Sequence, residues 1–315
     1  MKKFSNKILI IVLVVLVGAF ALSKIFRSPK LESNLKKELV NVDTAQVTEV
    51  RIDPAKEGTA EVRLLRKGNR WIVTSEGKEA EAGAGMVQSM LGVLMDLQSQ
   101  RMVTRKKERW DNFQVGDRGT RVVVYRDADK LADLRIGKAG FNEGNPGMGG
   151  GAGSAFTYIR LTDEDEVYSS DGFIATHFNR SFNEWRNQLF LKVNKDEVIR
   201  IKFNYPDSSY TLEKKDSVWV VNNTPAIETK VNQYFSKIRF KNISEFEDQY
   251  VIPGPAPFRL QIFGAAGSIA TTQAWPKSEE ELILSSTLQE GVYFRGKKSE
   301  IQRDIFVGKS WFTEP

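Results

Sequence analysis

The chain has 315 residues, 41% of them hydrophobic and 27% charged, enough apolar material for a packed core and too much for wholesale disorder. Its net charge of +6 is spread along the sequence, unlike the block of a nucleic-acid-binding tail. With no cysteine and one histidine, the composition excludes disulfides, thiolate nucleophiles, a cysteine lipid anchor and multi-histidine or thiolate metal sites.

At the N-terminus, Lys2, Lys3 and Lys7 precede an uncharged apolar run from Ile8 to Leu22. Extended to Phe26, with Lys24 snorkelling, the run covers nineteen residues. At 1.5 Å per residue that is roughly 28 Å, about one hydrocarbon thickness. A cleaved signal peptide is the rival reading, because Ala19-Phe20-Ala21 resembles a cleavage site. The apolar run outlasts Ala21 and basic residues follow it, so residues 1–27 are read as a cytoplasmic tail and transmembrane anchor. Arg27, Lys30, Lys36 and Lys37 nearly balance the lysines ahead of the span, and the short basic tail decides the orientation. The expected location is a bacterial inner membrane, single-pass, with the C-terminal region periplasmic and residues 28–44 as a linker.

Beyond the linker the sequence repeats itself. "EVRIDPAKEGTAEVRLLRKGNRWIV" begins at Glu49 and "EVIRIKFNYPDSSYTLEKKDSVWVV" at Glu197; an offset of 148 aligns both Glu49 with Glu197 and Trp71 with Trp219. Each stretch alternates apolar and polar residues and ends on a tryptophan among β-branched neighbours, the pattern of a hairpin with a core tryptophan. A helical pattern follows in both copies: Val87, Met90, Leu91 and Leu94, then Val231, Tyr234, Phe235 and Ile238, fall at i, i+3, i+4, i+7. "RVVVYRDADKLADLRIGK" from Arg121 pairs with "RLQIFGAAGSIATTQAWPK" from Arg259, and "YIRLTDEDEVYSSDGF" from Tyr158 with "YFRGKKSEIQRDIF" from Tyr293. The expected fold class is α+β: an N-terminal transmembrane helix, then two tandem similar units, 45–180 and 193–315, of antiparallel hairpins each with a helix packed on the sheet. Residues 181–192 are expected to connect them, with "SFNEWRNQLF" (Ser181 to Phe190) as a short helix.

The glycine run "GFNEGNPGMGGGAGSAF", Gly140 to Phe156, invites a phosphate-binding reading, with seven glycines between Gly140 and Gly153. A phosphate cradle needs a helix N-terminus behind the glycines, but the strand pattern "AFTYIRL" follows, and alanine stands at 152 where G-x-G-x-x-G wants glycine. The second copy carries "KSEEELILSSTLQEG" in that place, nearly without glycine. The run therefore reads as a flexible inter-strand loop. Shortening it to a tight turn is expected to change stability by less than about 1 kcal/mol. Calorimetric titration with ATP and GTP should show no saturable binding, with or without the loop.

Other motifs fail on their own requirements. "VGKSW" ends like a Walker A motif, but Arg303 stands where its first glycine belongs and only five residues follow Ser310. His177, among Phe173, Phe178 and Phe182, reads as a partly packed imidazole. The acidic run Asp163–Glu166 lacks the order of a calcium loop and reads as a solvated hairpin tip. The basic residues Arg101, Arg105, Lys106, Lys107 and Arg109, and Lys237, Arg239 and Lys241, follow the two helices and suit helix C-termini, or an anionic lipid surface or acidic partner. "PGPAP", Pro253 to Pro257, reads as a stiff connector.

The basic tail with one apolar span, the hairpins ending "RWIV" and "VWVV", "WDNFQVGDRGTRVVVY", and the hairpin "FTYIRL…EVYSSDGF" before "FNEWRNQLF" together resemble the domain-of-unknown-function family numbered 4340. Its helix is typically followed by a Tyr/Phe-Gly-Leu-like turn, and here Phe113-Gln114-Val115-Gly116 and Tyr250-Val251-Ile252-Pro253 occupy that place. The resemblance implies an extracytoplasmic component encoded beside the permease and auxiliary subunits of ABC-type, including gliding-linked, transporters. It assigns no activity.

No catalytic, cofactor-binding or metal-ligating residue is assigned, and no cofactor, nucleotide or nucleic acid is expected. The function expected is a non-enzymatic, membrane-anchored accessory or interaction protein with partners in a membrane transport complex. The alternative is an envelope hydrolase or glycan-binding protein using carboxylates that the sequence does not single out.

Overall fold

The computed structural model describes residues 36–55, 58–142 and 153–314. The apolar segment 8–26 and most of the glycine run lie outside them, and among the described residues no helix is long and apolar enough to cross a membrane. The described chain is mostly antiparallel β-sheet with some helices. In chain order it forms β1 (Glu49–Asp53), β2 (Val62–Lys67), β3 (Arg70–Ser75), β4 (Lys78–Glu81), α1 (Ala84–Met95), β5 (Arg101–Thr104) and α2 (Trp110–Phe113). Then come β6 (Thr120–Arg126), β7 (Asp129–Asn142), β8 (Ser154–Leu161), β9 (Val167–Asp171), α3 (Phe182–Trp185), β10 (Leu189–Lys192) and β11 (Val198–Asn204). The rest is β12 (Ser209–Lys215), β13 (Val218–Val221), β14 (Thr224–Pro225), α4 (Glu228–Ile238), β15 (Phe240–Asn242) and β16 (Phe258–Gly264). β17 (Gly267–Pro276), β18 (Glu281–Ser286), β19 (Gln289–Lys297), α5 (Lys298–Asp304) and α6 (Ser310–Thr313) complete it.

Packing separates two compact units: Met1–Glu61 with Ser89–Asn179, and Val62–Gln88 with Arg180–Pro315. In the first unit, β1, β6, β7, β8, β9 and β5 are hydrogen-bonded neighbours in that order, all antiparallel. The period-two pattern sends Val50, Ile52, Val122, Val124, Leu134 and Ile159 into the core, each without exposed surface. At the end of α2, Gln114 adopts a left-handed φ of 55°. It stands where the resembled family carries glycine, the residue that takes this conformation without steric cost.

In the second unit, β2, β3 and β4 form consecutive hairpins. Among the described residues, an eight-stranded sheet runs β14-β13-β12-β11-β16-β17-β18-β19, and β10 pairs with β15. Helix α4 buries Val231, Tyr234, Phe235 and Ile238, the stripe its sequence spells out. Glu228 in its first turn and Lys237 in its last complement the helix dipole. In α1, Val87, Met90, Leu91 and Leu94 are likewise buried.

Around Tyr234 an aromatic cluster forms the centre of this core. Phe203 stacks on Tyr210 with centroids 4.4 Å apart, and Phe312 meets Tyr234 edge-on at 5.3 Å. Tyr205 and Tyr210 both donate to the Val307 carbonyl, and Tyr234 donates to that of Ile305 at 2.9 Å. These bonds tie the C-terminal segment to the sheet. Burial pushes all three phenols well above their ordinary range, so they serve as neutral donors.

Several expectations are corrected. "KSEEELILSSTLQEG" is not the loop counterpart of the glycine run: it contains β18, whose Leu282, Ile283 and Leu284 are fully buried between β17 and β19. Correspondingly, "YFRGKKSEIQRDIF" is the end of a strand followed by α5, where a hairpin was expected. The helix in "SFNEWRNQLF" is one turn only; the Ser181 amide donates to Glu184 at its start, and Arg186 is already extended at ψ 154°. Trp219 is 6% exposed, as expected, but Trp71 is only half-buried, with the Arg66 guanidinium 6.0 Å from its ring. Helix α1 ends at Met95 with no basic residue in its last turn, so Arg101 to Arg109 do not cap it. A one-turn helix does follow "VGK", but it buries Phe312 in the aromatic cluster.

Candidate functional site

The first unit contains a groove of about 410 Å³ where the chain after α1 runs beside the end of β9. The segment after the helix is extended and alternates: Leu97 and Ser99 are buried, while Gln98 and Gln100 are exposed. Backbone bonds hold it there, from Leu39 N–H to the Leu97 carbonyl at 3.1 Å, from Ser99 N–H to Lys37 at 2.8 Å and from Gln100 N–H to Ser169 at 2.8 Å. The opposite wall begins at Gly172, whose φ of +86° is a conformation that L side chains rarely adopt. Its amide donates to Ala155 at 2.9 Å and its carbonyl accepts from the Thr157 hydroxyl, which in turn accepts from the Ile174 amide. This clamp turns the Phe173 ring outward, 57% exposed, and the 3₁₀ turn Ile174–His177 brings His177, half-buried, to the same groove. Asp96 and Asp171 complete the polar lining.

A second groove, of about 390 Å³, lies in the second unit and is built differently. Arg186, 5% exposed, makes a two-pronged ion pair with Asp248 at 2.8 and 2.9 Å and lies 3.7 Å over the Phe246 ring. Gln289 donates to the Asn187 and Leu189 carbonyls at 3.1 and 2.6 Å. Glu79 and Glu81 on its rim pair with Lys67 and Arg70. Arg186, Asp248, Gln289, Glu79 and Glu81 are thus all engaged within the protein.

The acidic tip between β8 and β9 is ion-paired, where only solvation was expected. Glu164 meets Lys36 at 2.7 Å, Asp165 meets Lys107 at 3.1 Å and Glu166 meets Arg105 at 3.1 Å. Arg105 and Lys107 of the basic run after α1 therefore serve this tip. Arg160 behind it is 5% exposed, lies 3.8 Å over the Trp110 ring and donates to the carbonyls of Val115, Leu161, Thr162 and Glu164. Burial, helped by the nearby Arg135 charge, lowers its pKa. Asp133 accepts from Arg121 at 2.7 and 3.0 Å and from Thr162 at 2.7 Å. Burial alone would raise this carboxyl, but the bonds from Arg121 and Thr162, the Arg121 charge and a bond from Lys130 hold it at about 2. It remains ionised at neutral pH and is a structural anion, not a proton donor.

Among the described residues no three His, Asp or Glu side chains are placed to share a metal ion. Sequence reasoning weighed His177 alone and missed its convergence with Asp96, Gln98, Gln100, Asp171 and Phe173. The outward period-two positions Gln98 and Gln100, just past a helix, were the only local signal.

A family model described as "Domain of unknown function (DUF4340)" matches residues 71–256, more than half of the chain. No curated protein and no solved structure matches it. From the tryptophan hairpin of β3 to the proline connector before β16, the sequence follows the family's pattern, and the chain belongs to the DUF4340 family.

Proposed function

We propose that this chain is a non-enzymatic accessory protein, anchored in the membrane by residues 8–26, that works through protein contacts beside an ABC-type membrane transport complex on its extracytoplasmic side. The observation that carries this reading is the nineteen-residue apolar segment behind a lysine-rich tail, set ahead of a sheet-rich body. The gene neighbourhood implied by the family resemblance supports the transporter partner. The ion-paired carboxylates of the β8–β9 tip and the depressed Asp133 suit structural roles better than acid–base chemistry.

The body is read as two tandem copies. In support, β11, β16, β17, β18 and β19 follow the neighbour order of β1, β6, β7, β8 and β9, and β14, β13 and β12 follow that of β4, β3 and β2. Trp71 faces Arg66 across its hairpin as Trp219 faces Lys214, at the same offset of 148.

A C-terminal alkaline phosphatase fusion is expected to be active, and a reporter that works only in the cytoplasm to be silent in the same position. The reverse pattern would refute the topology. Cross-linking the full chain in mild detergent should recover a permease or ATPase subunit of an ABC-type transporter, and its repeated absence would sink the transporter assignment.

A further inference from the structure

We propose that the groove of the first unit binds a neutral saccharide, with Phe173 as its stacking platform. The inference does not depend on the transporter reading.

The groove is polar without being self-satisfied. Among the described residues, the side chains of Asp96, Gln98, Gln100, Asp171 and His177 enter no hydrogen bond or ion pair. The Arg186 groove of the second unit has nearly the same volume, but there Arg186 pairs with Asp248, Gln289 donates to backbone carbonyls and Glu79 pairs with Lys67. Ser170 also lines the first groove; it is only 3% exposed, and its hydroxyl has no partner among the described residues.

The mixture of groups selects the ligand class. No lysine or arginine lines the groove, which disfavours phosphate and carboxylate ligands. A simple cation would use the Asp96 and Asp171 acceptors and leave the Gln98 and Gln100 amide donors idle. Sugar hydroxyls donate and accept at once, so they can engage carboxylate, amide, imidazole and serine together. The Phe173 ring offers a flat apolar face for the C–H side of a pyranose, and the Gly172 clamp fixes the backbone on either side of it. A volume of about 410 Å³ lies in the lower part of the range for small-molecule sites.

The test uses the full chain in a polyoxyethylene detergent, whose head group is not a sugar. Maltose, cellobiose and N,N′-diacetylchitobiose are the probes, read by saturation-transfer NMR and calorimetric titration; choline is the cationic control. At least one disaccharide should bind saturably, with an affinity insensitive to about 0.5 M salt. Phe173→Ala and Gln98→Ala should each weaken it roughly tenfold. Both side chains are exposed, and an unchanged far-ultraviolet spectrum would show that the fold persists. The proposal is overturned if none of the three sugars binds, if both variants bind as the parent does, or if choline binds in a salt-sensitive way and the sugars do not.

Discussion

Phe203→Ala is expected to destabilise the second unit by about 3–5 kcal/mol, the range for truncating a fully buried aromatic. Phe203 has no exposed surface, and its ring neighbours include Tyr210 at 4.4 Å, Tyr234 at 5.8 Å and Phe312 at 6.0 Å. These partners come from a neighbouring strand, from α4 and from α6, so the cavity opens where three elements meet. The tyrosines cannot collapse into it without giving up their bonds to the Val307 and Ile305 carbonyls. The loss should appear as a lower urea midpoint followed by near-ultraviolet dichroism, which reports packing of these rings. Phe240→Ala supplies the contrast. Phe240 is 60% exposed, and its truncation should shift stability by no more than about 0.5 kcal/mol. Equal losses in the two variants would contradict the placement of the aromatic cluster at the centre of this core.

Acid should remove about 2 kcal/mol of stability through Asp133. Its folded pKa of about 2 lies below the ordinary 3.8, so the ionised form is favoured by folding. That contribution is complete above the unfolded value, near 4, and disappears as pH falls through about 2. The carboxylate side chain is 1% exposed, so solvent screens its pair with Arg121 far less than a surface pair. Asp133→Asn should therefore be clearly less stable than the parent at pH 6 and approach it near pH 2. A stability difference that stays constant across that window would show that the carboxylate is not held by Arg121 and Thr162. Asp304 of the second unit provides an independent copy of the effect. Burial would raise it, but bonds from Arg303 and Lys241 bring it to about 2, so its contribution fades over the same interval.

What the sequence determined by itself was local and periodic. The stripes of α1 and α4 follow from 3.6-residue spacing, and the tryptophan hairpins from two-residue alternation, because those periods place side chains on one face whatever lies opposite. The glycine run could be read as a connection because a strand pattern stood where a phosphate site needs a helix, and β8 does begin at Ser154.

The tertiary structure decided what depends on partners far along the chain. β18 looked like an acidic loop because its apolar core, Leu282 to Leu284, is short, and only β17 and β19 on either side make it a strand. Trp71 and Trp219 share one local pattern but differ in burial, since burial is set by what covers the ring and not by the ring's neighbours in sequence. The groove was invisible for the same reason. Gln98 and Phe173 stand 75 residues apart in the sequence, and it is the bond from Gln100 N–H to the Ser169 carbonyl that brings their segments together.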